Sequence, residues 1–178
     1  FLQRPHDNDR DPERGLRVGF VSGDLRDHAV AYLIEPVWQA MRGGPHQVIA
    51  YANMRAEDEV SARLKALTDS WVRVERLGDE ALAERIRQDR IDILFDLSGH
   101  TTANRLPVFA MKPAPVQVTM IGYPATTGLT AIDYKIARRA TEVGGSSEAH
   151  FCEKLVRLPF RGFQPEWDAP EVQSLPAL

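Results

Sequence analysis

The chain has 178 residues, 43% of them hydrophobic and 26% charged, which is ordinary for one large globular domain or a domain with tails. A net charge of −3 excludes the basic excess typical of nucleic-acid-binding proteins. Cys152 is the only cysteine and cannot form an internal disulfide, and no apolar run approaches the roughly 20 residues that span a bilayer. No signal peptide is visible, so the sequence predicts a cytoplasmic protein without nucleic-acid or membrane partners.

Strand-like and helix-like segments alternate after a polar stretch, residues 1–15, which predicts a linker or arm. The predicted strands are Val18–Val21, Val48–Ala52, Trp71–Val74, Ile91–Leu97, Val116–Ile121 and a short Tyr134–Ile136. The predicted helices are Ala29–Met41, Val60–Leu67, Asp79–Gln88 with Asp79 as N-cap, and Arg105–Ala110, and the tail from Phe160 is irregular. This alternation favours an α/β fold, with a mainly parallel sheet flanked by helices.

Three of the predicted strands end in polar turns that contain glycine. Gly23–His28 follows the first strand, Ser98–Thr101 follows Ile91–Leu97, and Gly122–Pro124 follows Val116–Ile121. Open α/β sheets bind ligands in a crevice at the carboxyl ends of their strands. The sequence therefore predicts that His28, Ser98, Thr101 and Gly122 lie together on one rim of the sheet.

Two titratable residues of these segments carry open alternatives. His28 follows a strand and begins a helix, so it is a candidate general base, a hydrogen-bond donor to a substrate hydroxyl or phosphate, or simply a helix cap. Asp96 interrupts an apolar strand, where a carboxylate is costly unless it is hydrogen-bonded. It is either a buried structural anchor or an active-site carboxylate, and we expect it to be buried in both cases.

The remaining turn residues suit the binding of a polar ligand. Ser98, His100 and Thr101 offer donors to sugar or phosphate oxygens. The turn around Gly122 allows close backbone approach, although an ordinary tight turn has the same composition. The chain contains no G-x-G-x-x-G, Walker or G-x-S-x-G motif and no paired Cys/His set, which argues against a stand-alone dehydrogenase, P-loop ATPase, serine hydrolase or zinc enzyme.

Three ordered strings resemble the catalytic region of the O-linked N-acetylglucosamine transferase family, which includes the SPINDLY-type O-fucosyltransferases. They are LRVGFVSGDLRDHAVAYLIEPV, RIDILFDLSGHTTANRLPVFAMKPAPVQVTMIGYPATTGL and EKLVRLP. The resemblance implies a GT-B enzyme with two Rossmann-like lobes. Residues 16–160 would be its amino-terminal lobe, and residues 161–178 would be a tail toward a second lobe that holds most nucleotide contacts.

The resemblance also implies an activity and roles for individual residues. The enzyme would be inverting and would move N-acetylglucosamine from UDP-N-acetylglucosamine, a substrate and not a cofactor, to Ser/Thr hydroxyls of a protein or peptide acceptor. Tetratricopeptide repeats often precede such a catalytic region. By motif match, the resemblance implies that His28 is a cleft histidine once proposed as the base, that Ser98 and Thr101 are a polar pair on the sugar and acceptor side, and that Ile121, Gly122 and Pro124 form the wall around the sugar. Together with the residues singled out from the sequence itself, the predicted site has His28 and Asp96 as catalytic groups, with Ser98, His100, Thr101, Ile121, Gly122 and Pro124 around the substrate.

The sequence departs from the family pattern at two places, of which the first concerns the donor sugar and the role of His100. The turn is Ser-Gly-His-Thr where the animal enzymes carry Asn-Gly-Tyr-Thr, and Lys135–Gly145 replaces the usual acidic run. A competing hypothesis is a non-catalytic α/β module that binds an acceptor or a partner. On the first hypothesis the isolated chain is expected to be inactive, because the second lobe is needed for transfer.

Overall fold

The computed structural model of the protein describes residues 3–138 and 148–158. The elements, in chain order, are β1 (Arg17–Ser22), α1 (Ala29–Met41), β2 (Gln47–Ala52), α2 (Glu59–Lys65), β3 (Ser70–Arg73), α3 (Asp79–Gln88), β4 (Ile93–Asp96), α4 (Leu106–Ala110), β5 (Val116–Thr119), β6 (Tyr134–Arg138), a 3-10 turn (Glu148–His150) and β7 (Lys154–Leu158).

The seven strands form one sheet in the order β3-β2-β1-β4-β5-β6-β7, and every pairing is parallel. This confirms the predicted α/β class, with a sheet that is wholly parallel where a mainly parallel one was expected. The chain moves outward from β1 to β2 and β3, and then returns to place β4 on the other side of β1. Such a reversal of strand order opens a crevice at the carboxyl ends of β1 and β4.

The core has two layers because side chains along a strand alternate between the two faces of a sheet. Phe20 of β1 packs on one face with Trp38 of α1, their ring centroids 5.3 Å apart. Val21, the next residue, packs on the other face with Leu82 and Ile86 of α3. Burial of both faces explains the nearly continuous apolar runs of the central strands.

The polar segment at the amino terminus lies against the amino end of β4. Arg14 Nη2 is 2.6 Å from the Asp92 carboxylate, and Asn8 donates to the same carboxylate over 2.7 Å. Burial alone would raise the pKa of Asp92, but these contacts and the Arg17 amide hold that pKa below its usual value. Residues 3–15 therefore form an irregular arm that is fixed at the edge of the sheet opposite the predicted crevice.

The structure corrects several boundaries. The prediction that Asp79 is the N-cap of α3 was wrong, since Gly78 occupies that position and Asp79 lies in the first turn, where it accepts from Arg105 Nη1 over 2.8 Å. Strand β4 is shorter than predicted, although Ile91 and Leu97 are both buried beside it. Strand β6 is longer than expected. The predicted irregular tail falls outside the described residues.

Candidate active site

The polar turns after β1, β4 and β5 lie at one edge of the sheet, as predicted, because these strands are adjacent and parallel. The turns after β4 and β5 touch each other. A Cβ atom added to Gly122 would meet the Leu97 carbonyl oxygen at 2.1 Å and the Ser98 Cα at 3.0 Å. His28 follows the neighbouring strand β1 on the same edge. The topology thus brings the predicted site residues to one rim.

Asp96 is the buried anchor of the turn after β4. Its side chain accepts from the Ser98 amide (3.0 Å), the Gly99 amide (2.9 Å) and the Thr119 hydroxyl (2.7 Å), and the residue is only 1% exposed. Burial raises the pKa of Asp96 above that of an ordinary aspartate, although these hydrogen bonds oppose the rise. The predicted burial is confirmed, and the geometry favours an anchor over a carboxylate that touches substrate.

The hydroxyls of the turn after β4 differ in their contacts. Thr101 Oγ1 donates to the Ser98 carbonyl over 2.8 Å, which closes the turn on itself. Ser98 Oγ is buried and has no hydrogen-bond partner among the described residues. A buried hydroxyl without a partner costs free energy, so the Ser98 hydroxyl is a group of this turn whose hydrogen-bonding capacity is unused.

The turn after β5 is strained at a residue that is not glycine. Ile121 has φ +67°, and the Gly122 amide donates to the Met120 carbonyl over 2.9 Å, which makes a three-residue γ-turn around Ile121. A β-branched residue in this region is an outlier that costs about 1–3 kcal/mol and is typical of functional sites. Sequence reasoning named Ile121 but missed its strain, because Ile-Gly-Tyr-Pro carries no local signal for it.

His100 and Glu153 both contact the segment that follows the turn after β5. His100 Nε2 lies 2.9 Å from the Thr127 carbonyl, and its ring meets the Tyr123 ring edge-on with centroids 5.2 Å apart. Glu153, which is 3% exposed, accepts from the Thr127 amide over 2.7 Å and from the hydroxyls of Thr126 and Thr127. Burial opposes ionisation, but these bonds hold the pKa of Glu153 below its usual value. Sequence reasoning did not identify Glu153.

His28 caps helix α1. Its Nδ1 accepts from the Val30 amide over 3.2 Å, and the ring is otherwise exposed. Because Nδ1 uses its lone pair in the cap, the neutral ring carries its proton on Nε2. In this arrangement the exposed Nε2–H of His28 is a hydrogen-bond donor that the cap leaves unused. Pro124 is exposed in the turn after β5.

A cleft of about 780 Å³ opens at the same edge, beside these turns. Its wall comes from the segments after β1, β2, β3 and β4 and includes three arginines: Arg26, Arg55 and Arg105. Arg105 is held in place by the Asn53 side chain (2.9 Å) and the Val74 carbonyl (2.9 Å). One sequence feature could have indicated this cleft: a polar residue, Asn53, directly follows an apolar strand. Asn53 was not among the predicted site residues.

Within residues 3–138 and 148–158, no three His, Cys, Asp or Glu side chains are grouped so as to hold a metal ion. No helix in the same ranges is both long enough and apolar enough to cross a membrane.

Comparison with known proteins defines the class. The family description Glycosyl transferase family 41 matches residues 2–165, and the chain therefore belongs to this family of glycosyltransferases. The expected resemblance is confirmed, and so is the Rossmann-like, GT-B-type lobe.

Sequence comparison with individual proteins supports the same family. A probable UDP-N-acetylglucosamine–peptide N-acetylglucosaminyltransferase SPINDLY of Petunia hybrida is 38% identical over 97% of the chain, which spans 19% of that protein. The UDP-N-acetylglucosamine–peptide N-acetylglucosaminyltransferase of Caenorhabditis elegans is 34% identical over 83% of the chain, which covers 13% of its length. The chain thus spans at most about a fifth of these curated relatives.

A solved structure supports the same class. A mutant O-GlcNAc transferase of Thermobaculum terrenum superposes with a TM-score of 0.80 and is 44% identical, with 84% of this chain and 28% of that chain covered.

Proposed function

We propose that the full-length protein is an inverting protein O-glycosyltransferase that moves N-acetylglucosamine from UDP-N-acetylglucosamine to Ser/Thr hydroxyls. The observation that supports this most is membership of family 41 in a chain whose polar turns meet at the carboxyl edge of the sheet. Residues 16–160 act as the amino-terminal lobe of a GT-B pair, and residues 161–178 lead toward the second lobe. The enzyme works in the cytoplasm without a cofactor, with tetratricopeptide repeats before the catalytic region.

In the proposed reaction, the acceptor hydroxyl attacks the anomeric carbon of the sugar, the bond from that carbon to the nucleoside diphosphate breaks, and the hydroxyl proton passes to the departing diphosphate. Groups that are already fixed in place lower the barrier, because they need no reorganisation as charge develops. The turns after β4 and β5 supply such groups around the sugar: Ser98, His100, Thr101, Ile121, Gly122 and Pro124. The acceptor polypeptide enters along the neighbouring cleft, whose open wall combines apolar surface with the side chains of Arg26, Arg55 and Arg105.

His28 acts in this proposal as a donor to a substrate oxygen and not as the base. The cap on the Val30 amide commits Nδ1, so that only the protonated Nε2 faces the reactants. Asp96 acts beneath the surface by holding the amides of Ser98 and Gly99. The second lobe supplies the contacts to the diphosphate, since this chain has no glycine-rich phosphate loop.

Substitutions of His28 in the full-length protein test the proposal. His28→Ala removes both the ring and the helix cap, whereas His28→Asn keeps a cap because its amide oxygen accepts from the Val30 amide. We expect both variants to lower kcat by about 10- to 100-fold, since a positioned polar group is lost from the transition state. Only the alanine variant should also lose about 1 kcal/mol of stability.

The measurement is transfer from UDP-N-acetylglucosamine to a Ser/Thr peptide, followed by mass spectrometry, together with thermal unfolding of each variant. Wild-type turnover by the asparagine variant would remove His28 from the site. A stability loss in both variants without a change in kcat would leave His28 as a helix cap alone.

A further inference from the structure

A buried row of polar side chains runs across three strands beneath the turns of the candidate site. Asp96 on β4 is registered with Thr119 on β5, and Thr119 is registered with Lys135 on β6. Directly paired residues point to the same face of a sheet, so the three side chains form one line. Their exposures are 1%, 1% and 3%, so the whole row is closed to solvent.

Lys135 is the costly member of this row. An ammonium group that is removed from water must be hydrogen-bonded or paired with an opposite charge. Without such partners, an apolar residue at the same buried strand position would give a more stable protein. Lys135 Nζ donates to the Tyr123 carbonyl over 2.8 Å and lies 5.9 Å from the centroid of the Phe151 ring. The buried charge is thus tied to the turn after β5.

The two ends of the row hold the two turns that touch. Asp96 holds the amides of Ser98 and Gly99 after β4, and Lys135 holds the carbonyl of Tyr123 after β5. A Cβ atom added to Gly99 would lie 2.2 Å from the Tyr123 Cβ, so the turns are packed without spare room. A small movement of the Tyr123 carbonyl therefore shifts one turn against the other. The charge of Lys135 also acts on Asp96, since it opposes the rise in the pKa of that carboxyl.

We propose that Lys135 is a positioning residue of the transferase, whose buried ammonium holds the Tyr123 carbonyl and thereby fixes the turn after β5 against the turn after β4. The inference rests on the proposed function, because the spacing of these turns matters to activity only if they line the sugar site. Lys135 touches no substrate in this account and acts through the backbone of Tyr123.

The test is Lys135→Met in the full-length protein, with UDP-N-acetylglucosamine and a Ser/Thr peptide as substrates. Methionine removes the donor and the cost of burying a charge while it fills similar space, so the fold should survive. We expect kcat to fall by at least about tenfold while KM for the nucleotide sugar changes by less than about threefold, because misplacement of fixed groups acts on the transition state.

Lys112→Met is the matched control. Lys112 Nζ donates to the Ala131 carbonyl over 2.8 Å and pairs with Asp133, and its side chain is 14% exposed. It follows α4 and therefore lies at the amino edge of the sheet, away from the site. This variant loses a comparable ammonium contact, and its kcat should stay within about threefold of wild type.

The outcomes separate the two proposals. Equal kcat values for the two methionine variants, or a loss expressed only in KM, would overturn the role of Lys135 and leave the proposed function intact. No transfer by the wild-type protein would instead overturn the proposed function. If Lys135→Met does not fold, Lys135→Gln is measured in the same way, since its shorter side chain also loses the Tyr123 carbonyl, and the same outcomes decide.

Discussion

Asp96→Ala is expected to lower the free energy of unfolding of the lobe by about 3–5 kcal/mol and to abolish transfer by the full-length protein. The carboxylate is the shared acceptor for the amides of Ser98 and Gly99 and for the hydroxyl of Thr119. Alanine leaves these three donors buried without a partner, and each unsatisfied donor costs about 1–3 kcal/mol. The turn after β4 then loses the contacts that define its shape, so activity should fall together with stability.

Asp96→Asn separates the two effects. Its amide oxygen still accepts from one turn amide, but its NH2 group meets either the Gly99 amide or the Thr119 hydroxyl, so the loss should be smaller, about 1–2 kcal/mol. Asp69→Ala is the control, since among the described residues the Asp69 carboxylate accepts only from the Val48 amide, over 2.7 Å at the amino end of β2. Chemical denaturation and turnover are measured together. An alanine variant at position 96 that is as stable and active as the Asp69 control would contradict the anchor.

Gly122→Ala is expected to reduce kcat by about 100-fold, the second large effect. An added methyl group would lie 2.1 Å from the Leu97 carbonyl oxygen, and this neighbour is backbone that cannot rotate away. The turns after β4 and β5 must therefore separate, at a cost of about 1–3 kcal/mol for overpacking. The γ-turn around Ile121 allows little adjustment because its φ is already strained.

Gly78→Ala provides the comparison for this variant. Nothing lies within 4 Å of an added Cβ at Gly78, which precedes α3, so the methyl group meets open space there. We expect its kcat to equal that of wild type, with at most about 1 kcal/mol of lost stability. Steady-state transfer kinetics and thermal unfolding distinguish the two glycines. Normal turnover by Gly122→Ala would show that the contact between the turns does not matter for function.

The sequence predicts the fold well because its signals are local and periodic. Apolar runs bounded by polar turns locate β1, β2, β4 and β5, and helical spacing locates α1 and α3. Boundaries are less certain, as at Gly78 and Asp79, because either residue type is compatible with the start of a helix and the choice depends on Arg105. The strand order adds information that no local pattern contains, namely that β1, β4 and β5 are neighbours.

The candidate site is predicted only in part, because the sequence shows local features but not contacts between distant residues. The polar turns are visible in the sequence, and so is the expense of placing Asp96 in an apolar strand. The contributions of Glu153 and Lys135 are not visible, since both depend on contacts across more than ten residues of intervening chain. The positive φ of Ile121 is not visible either, because nothing in the Ile-Gly-Tyr-Pro sequence marks a β-branched residue for that region.

Sugar transfer, measured for the full-length protein and for this chain alone, is the most direct test of the proposed transferase function and of the assignment of this chain as one lobe. Both are incubated with UDP-N-acetylglucosamine and a Ser/Thr peptide, and the peptide mass is followed, with GDP-fucose as the alternative donor. We expect addition of N-acetylhexosamine by the full-length protein, little or no fucose transfer, and neither transfer nor hydrolysis by the chain alone. If the full-length protein transfers sugar from neither donor, the proposed glycosyltransferase function is contradicted and a binding module is favoured. Turnover by the chain alone would contradict its assignment as one lobe of two.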